Sequence, residues 1–426
     1  MPGWHRLTLT GCVLVLLAIY LRAVASPPID FSAYYGAAAD LRAGRTPYFN
    51  ALIWKAAGYV TGSTDTKPTP GIAYVYPPAL ALVIVPLTEL PIHAATIVWI
   101  SLLFACVIGT AWCLASLLVS RRDSSFWLLF AALALGIALF KPVRGALTFS
   151  NQADPLILLL LAGTVLAFVR RRDGWAGVLL GLAIAVKPFV AVLVLVLLWK
   201  GAYRLVSVAG LVSVVLVLGP LLARGLFEDF AAAALHWGGP LMAASPVGQS
   251  VYSLLLRTLT VQPYTVPLVE APWLVTPLLA LVGVVLIGLL ARTVSRSRDL
   301  TPIVQLLEFG LAIAAMLIFG PLTEEHHLAY LALGLTGTLA AGLSRWPISA
   351  SARRLTIATA ALLMLPGTQA IAWGFYLYRD GPIAPPLSFS TFLFLYLLVA
   401  AAIVNLAALR LLRAPDASDQ GLARSP

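Results

Sequence analysis

Apolar residues in this chain fall in long runs separated by short polar breaks. Twelve runs are read as membrane-spanning helices: roughly 7–25, 93–119, 125–141, 154–169, 175–187, 189–200, 205–223, 272–292, 303–320, 327–343, 355–373 and 388–410. Most approach the ~20 residues that a helix needs to cross a bilayer. None shows the short alternating pattern of a barrel strand. The fifth and sixth runs are shorter, with Lys187-Pro188 between them. Half-helices meeting at a cavity are expected there, where irregular backbone is tolerated inside a membrane. A loop at 26–92 carries Tyr76-Pro77-Pro78 and a further apolar run at 79–85, read as a surface or re-entrant helix. Counting that run as a thirteenth span would invert the charge pattern of every later loop. A second loop at 224–271 holds Phe227–Trp237, read as an interfacial amphipathic helix. The polar stretch 414–426 reads as a disordered tail. The expected architecture is all-α and polytopic, one transmembrane domain over 1–413.

Composition supports the bilayer as solvent. Of 426 residues, 61% are hydrophobic and 11% charged, against roughly 25% charged in soluble domains; the mean hydropathy is +0.94. Cys12, Cys106 and Cys113 all lie in apolar runs and read as small core residues, with no disulfide framework. The net charge of +11 resolves into topology. With the N-terminus inside, the inner loops and ends collect 17 of the 28 basic residues against six acids. That excess is the whole net charge, and the outer segments are neutral. This is the positive-inside pattern, with both termini cytoplasmic and no nucleic-acid partner implied. Ala23-Val24-Ala25 before Ser26 also resembles a signal-peptidase site; the run is long enough to be read as a retained span.

The uncommon polar residues gather at the outer ends. Asp30, just after the first span, can cap a helix over 31–43 or act as a general base. Lys141, Arg144, Asn151, Gln152 and Asp154 cluster between the third and fourth spans, where they can hold a phosphate or simply snorkel. Lys187 sits among about two dozen apolar residues, and a lysine at that depth must face a cavity or a partner. Thr323-Glu324-Glu325-His326-His327 puts four titratable groups together at a membrane edge. Adjacent histidines lack the i, i+4 spacing of a helical zinc site, so phosphate binding, acceptor positioning or a solvated turn are the readings there. His236, Gln249, Ser250, Arg257, Arg379 and Asp380 complete the outer polar face.

In this order, the residues resemble glycosyltransferase family 87, membrane enzymes of the GT-C type. The resemblance lies in Asp30-Phe31-Ser32-Ala33-Tyr34-Tyr35 with Gly44-Arg45-Thr46-Pro47-Tyr48, then Tyr76-Pro77-Pro78. It continues through Arg170-Arg171-Arg172-Asp173-Gly174 with Lys187-Pro188, Gly248-Gln249-Ser250 with Arg257, and His326-His327. Two stretches depart from the family pattern: Asn151-Gln152 with Asp154, and Gly320-Pro321-Leu322-Thr323-Glu324-Glu325.

The resemblance implies transfer of a sugar, mannose first among candidates, from a polyprenyl-phosphate donor. The acceptor would be a lipid-linked or cell-envelope glycan at the outer face of a bacterial plasma membrane. The reaction would be inverting and use no cofactor, with a divalent metal left open. Asp30 would be the base. Lys187, His326, His327, Arg144 and Lys141 would bind the donor phosphate. Tyr34, Tyr35, Tyr76, Asn151, Gln152, Gln249, Glu324 and Glu325 would line the substrate site. The alternatives are a transporter or lipid flippase, an arabinosyltransferase of the same type, and a non-catalytic membrane subunit. A transporter needs a polar path through both membrane halves, and the inner spans carry few charges.

Overall fold

Backbone groups in hydrocarbon must satisfy one another, and a helix does so within a single segment. The apolar runs obey this. A computed structural model describes residues 3–48, 74–237, 239–245, 248–344, 350–364 and 393–413, and no strand occurs among the described residues. The chain opens with α1 (Gly3–Val24) and α2 (Ile29–Arg42), followed by α3 (Pro78–Ile84), which tightens into a 3-10 turn at Val85–Glu89. Next come α4 (Ile92–Leu118), α5 (Ser124–Leu139) and α6 (Lys141–Gly145), the last running into a π turn at Ala146–Ser150. The middle is α7 (Asp154–Val169), α8 (Asp173–Val186), a 3-10 turn Pro188–Val192, α9 (Leu193–Trp199) and α10 (Tyr203–Ala223). Three short helices follow, α11 (Phe227–Trp237), α12 (Pro240–Ala244) and α13 (Val251–Leu259), then α14 (Val275–Thr293) and α15 (Pro302–Phe319). A 3-10 helix, Glu325–Tyr330, leads into α16 (Leu331–Ser344), and α17 (Ala350–Met364) and α18 (Leu393–Arg413) complete the bundle.

All twelve expected runs are helical over their described residues, so the chain is an all-α polytopic membrane protein. Twelve full-length crossings do not follow. Among the described residues seven helices are long and apolar enough to cross a membrane, eight if Ser124–Leu139 and Lys141–Ser150, which meet at 65°, form one bent span. Asp154–Val169, Asp173–Val186 and Pro188–Trp199 are shorter. At 1.5 Å per residue a 16-residue helix extends about 24 Å, less than the ~30 Å hydrocarbon layer. The expected break between the fifth and sixth runs lies at Lys187, whose backbone is extended (φ −133°, ψ 95°). A residue before proline is pushed out of the helical region, so the Lys-Pro pair ends α8. The tail 414–426 and the pair Arg379 and Asp380 lie outside the described residues.

Small residues let the short helices pack closely. Gly177 and Gly181 lie one turn apart on α8 and face α10. A Cβ at Gly177 would stand 2.6 Å from the Leu205 carbonyl oxygen, and one at Gly181 would stand 2.8 Å from that of Ala209. This is the small-xxx-small packing of membrane helices. Gly310 on α15 and Gly334 on α16 meet in the same way, with the Asn405 amide of α18 filling the seam. Asn405 Oδ1 accepts the Thr338 hydroxyl at 2.5 Å.

The loops between α7 and α8 and between α14 and α15 are joined by charge. Arg298 pairs with Asp173 at 2.5 Å, and Arg171 pairs with Asp299. Beneath them Lys200 and Glu308, both fully buried, pair at 2.6 Å. Arg413 of α18 adds a contact to Glu308 at 2.8 Å, and the Ser295 amide donates to it at 2.9 Å. One carboxylate thus anchors three elements at the arginine-rich end.

Gly181→Leu is expected to destabilise the protein by about 1–3 kcal/mol through overpacking. It should lower the thermal unfolding midpoint in detergent. Gly210→Leu on α10, where nothing stands within 4 Å of the Cβ position, is expected to leave that midpoint nearly unchanged.

Candidate active site

The end of the bundle opposite the arginine cluster is assembled from four segments, joined by Tyr76 from the stretch before α3. The first is α2. Pro27-Pro28 starts it early, so Pro28 occupies the capping position and no side-chain cap bond forms. The capping reading of Asp30 is therefore corrected: the helix begins at Ile29, and Asp30 lies within its first turn. Phe31, Tyr34, Ala37, Ala38 and Leu41 form the buried face of α2, with the Phe31 ring stacked on Trp99 at 5.6 Å. That packing fixes the half-buried Asp30 beside it.

The second segment is the bend from α6 to α7. The π turn ends at Asn151, in a left-handed conformation (φ 56°), a form asparagine tolerates better than most residues. Asn151 is spent on structure: its amide donates to the Leu147 carbonyl at 2.9 Å, and its own carbonyl accepts the Trp99 indole at 2.9 Å. Gln152 turns to the site. Its Oε1 accepts the Tyr34 hydroxyl at 2.5 Å and the Tyr76 hydroxyl at 3.2 Å, which leaves its amide hydrogens for Asp30. Burial pushes the Asp30 carboxyl up to about 7; the Gln152 hydrogen bond and nearby Lys187 restrain the rise, and Asp154 adds to it.

The third segment is the hairpin of α7 and α8. Asp154 opens α7 and Lys187 follows α8, so antiparallel packing brings them together. The Lys187 Nζ donates to both carboxylate oxygens of Asp154, at 2.8 and 2.9 Å, and the two side chains are 1% and 0% exposed. The ammonium also lies 5.6 Å from the centre of the Tyr76 ring.

The fourth is the turn between α15 and α16. Glu324 and His327 form a reciprocal cap on the 3-10 helix. In it the Glu324 backbone N–H donates to His327 Nδ1 at 3.1 Å. An accepting Nδ1 fixes the neutral tautomer with its hydrogen on Nε2. His326 lies between two carboxylates, its Nδ1 3.6 Å from Glu324 and its Nε2 3.8 Å from Asp154. Tyr330 donates its hydroxyl to Asp154. Glu325 points away and pairs with Lys141.

The structure thus brings together Asp30, Tyr34, Tyr76, Gln152, Lys187, Glu324, His326 and His327 of the residues expected from sequence. It sets others apart. Tyr35 donates to the Leu90 carbonyl at 2.8 Å, Arg144 is exposed, and Lys141 and Glu325 engage each other. Gln249 is buried and reaches the site through its backbone, which donates to the Thr323 carbonyl at 2.7 Å. Asp154 reads in sequence as one of several snorkelling ends, and it proves to be the centre of the cluster. Tyr330 and Trp99 carry no sequence signal beyond an aromatic residue in an apolar run.

Asp154, His326 and His327 place donor atoms within 4.8 Å of one another, close enough for a metal ion to be considered. The Lys187 ammonium fills the fork of Asp154, and the His327 tautomer presents a hydrogen where a metal needs a lone pair. The donor set does not fit a divalent ion.

The glycosyltransferase family 87 model matches residues 74–321, more than half of the chain. The chain belongs to this family and is a membrane glycosyltransferase. The match includes Tyr76, Gln152, Asp154 and Lys187, and stops three residues before Glu324. No curated protein matches the chain.

Breaking a buried ion pair from one side costs about 3–5 kcal/mol. Lys187→Met and Asp154→Asn are each expected to destabilise the protein by that amount. The double variant should lose clearly less than the sum. Thermal or denaturant unfolding of the four proteins in detergent measures this cycle.

Proposed function

We propose that this glycosyltransferase moves a sugar, mannose, from a polyprenyl-phosphate donor to a hydroxyl of a lipid-linked or cell-envelope glycan. In this reading the site lies at the outer face of a bacterial plasma membrane, with both termini cytoplasmic. The observation that carries it is a pairing of opposites. Asp30, a carboxyl poised near neutrality, lies in one cluster with a fixed ammonium, Lys187, and a fixed neutral N–H donor, His327.

Single displacement at a sugar carbon needs that pair. The acceptor hydroxyl gives its proton to Asp30 as its oxygen attacks the anomeric carbon. The bond from that carbon to the phosphate oxygen breaks on the opposite face, so the configuration inverts. The departing phosphate gains negative charge, which Lys187 and the His327 Nε2–H stabilise. Two of the three Lys187 hydrogens go to Asp154, leaving one for the phosphate. The tyrosines of the pocket supply faces and hydroxyls for sugar rings. A donor carrying a long lipid tail is reached from within the bilayer, and its phosphate linkage brings the energy for transfer.

Asp30→Asn is expected to lower kcat by roughly 10²- to 10⁴-fold. Wild-type activity should also rise with pH. Asp30 works as a carboxylate, so kcat/KM climbs through about pH 7 and levels off above it. The assay is transfer of labelled sugar from polyprenyl phosphate to membrane lipids. Unchanged turnover in Asp30→Asn would sink the base assignment, and no transfer by the wild type would sink the reaction.

A further inference from the structure

The last two helices, α17 and α18, carry four arginines, Arg353, Arg354, Arg410 and Arg413, and no acid. Among the described residues only Arg413 of these has an acid partner, Glu308. Between the two helices runs a groove of about 550 Å³, lined by Ser351 of α17 and by Ile403, Leu406, Ala407, Arg410 and Leu411 of α18. We propose that this groove binds one anionic phospholipid, with its phosphate on Arg410 and Ser351 and an acyl chain along the apolar part of α18. The site is separate from the transfer reaction proposed above and does not depend on it.

The two sides of α18 account for the groove. Leu398, Ala401, Asn405, Ala408 and Leu409 are buried, and Asn405 fills the seam between Gly310 and Gly334. That side holds the helix to the bundle. Ile403, Ala407 and Arg410 are exposed on the other side, spaced by four and then three residues as on one helix face. In a membrane bundle such a face meets lipid, so the groove is open to acyl chains. It rises ~10 Å from Ile403 to Arg410, from apolar side chains to a charge in the last turn of the helix.

An arginine near a helix end can be satisfied by water alone. Here three features favour a phosphate instead. The guanidinium closes one end of a groove, which snorkelling does not require. Neither it nor the Ser351 hydroxyl has a hydrogen-bond partner among the described residues. The charge around it has one sign, because Arg353 and Arg354 stand beside Ser351 on α17 and neither helix carries an acid. A guanidinium presents paired N–H donors that match phosphate oxygens, and basic pockets between membrane helices suit anionic head groups. A free phosphate would use the arginine and leave the apolar length of the groove empty. A phospholipid uses both.

The full chain in a neutral detergent is titrated in parallel with dioleoyl phosphatidylglycerol, dioleoyl phosphatidylcholine and inorganic phosphate. Thermal unfolding and native mass spectrometry read the binding. Phosphatidylglycerol should raise the unfolding midpoint saturably, because a ligand of the folded state stabilises it, and one lipid should be retained in the mass spectrum. Phosphatidylcholine, whose head group brings a cation to this basic end, should bind roughly tenfold more weakly. Inorganic phosphate should have no effect. Arg410→Gln should weaken the phosphatidylglycerol response on the order of tenfold. Ala407→Trp, which fills the groove from an exposed position and keeps the arginine, should weaken it as well. Arg121→Gln, at an exposed arginine in the loop after α4, should respond as the wild type does. No saturable response of the wild type, an equal response to phosphatidylcholine, or wild-type binding by Arg410→Gln overturns the proposal. A matching response to inorganic phosphate shows a free-anion site and overturns the lipid. If Arg410→Gln does not fold, Ala407→Trp decides: wild-type binding there overturns the proposal.

Discussion

The ion pair between Asp154 and Lys187 is the constraint on which the rest of the site depends. An isolated charge at this depth would cost several kcal/mol, so neither residue can be held there without the other. Their meeting requires α7 and α8 to run antiparallel with matched ends. The glycine face of α8 against α10 supports this by holding the hairpin close to its neighbour. Asp154 then reaches further. It accepts Tyr330 and stands beside His326, so it locates the 3-10 helix 176 residues away in sequence. One carboxylate sets where the ammonium points and where the histidines sit.

The two ends of the bundle use buried charge in opposite ways. At the arginine-rich end Glu308 is surrounded by Lys200, Arg413 and the Ser295 amide. Cations are in excess there and every oxygen is engaged. Such an arrangement pins loops and offers a ligand nothing. At the other end three carboxyls surround one ammonium. That imbalance is unfavourable for the empty protein unless protons are shared, and sharing protons is what acid–base chemistry requires. The two ends thus differ in sign: cations outnumber the carboxylate at one, and carboxyls outnumber the ammonium at the other.

Much of this was legible in the sequence. Helices lie where apolar runs predict them because a run in lipid has no other way to satisfy its backbone. Lys187 stood out for the same reason: an ammonium within an apolar run must have a partner. What a linear pattern does not carry is which partner. Asp154 is 33 residues away and looks like any acid at a helix end. Glu325 and Lys141, both plausible ligand groups, neutralise each other across 184 residues. Twelve full crossings are not confirmed, because apolar length alone does not separate a short helix lining a cavity from one that spans. Asp30 was read two ways, and the helix starting two residues early at a proline pair removes the capping one.

Gln152 shows why the base had to be found in three dimensions. An amide can present either its oxygen or its hydrogens, and its neighbours determine which. Tyr34 and Tyr76 both donate to the oxygen, so the hydrogens are left for Asp30. The same two tyrosines belong to different segments, α2 and the stretch before α3, and Trp99 of α4 holds the backbone at Asn151. Four segments thus converge to orient one amide. Its hydrogen bond favours the ionised form of Asp30 against a burial that favours the protonated form. Burial alone would leave the base neutral, and full solvation would leave it too weak. Asp30 is kept near neutrality by the opposition of these two effects, which is what the proposed base role would need at the edge of a membrane.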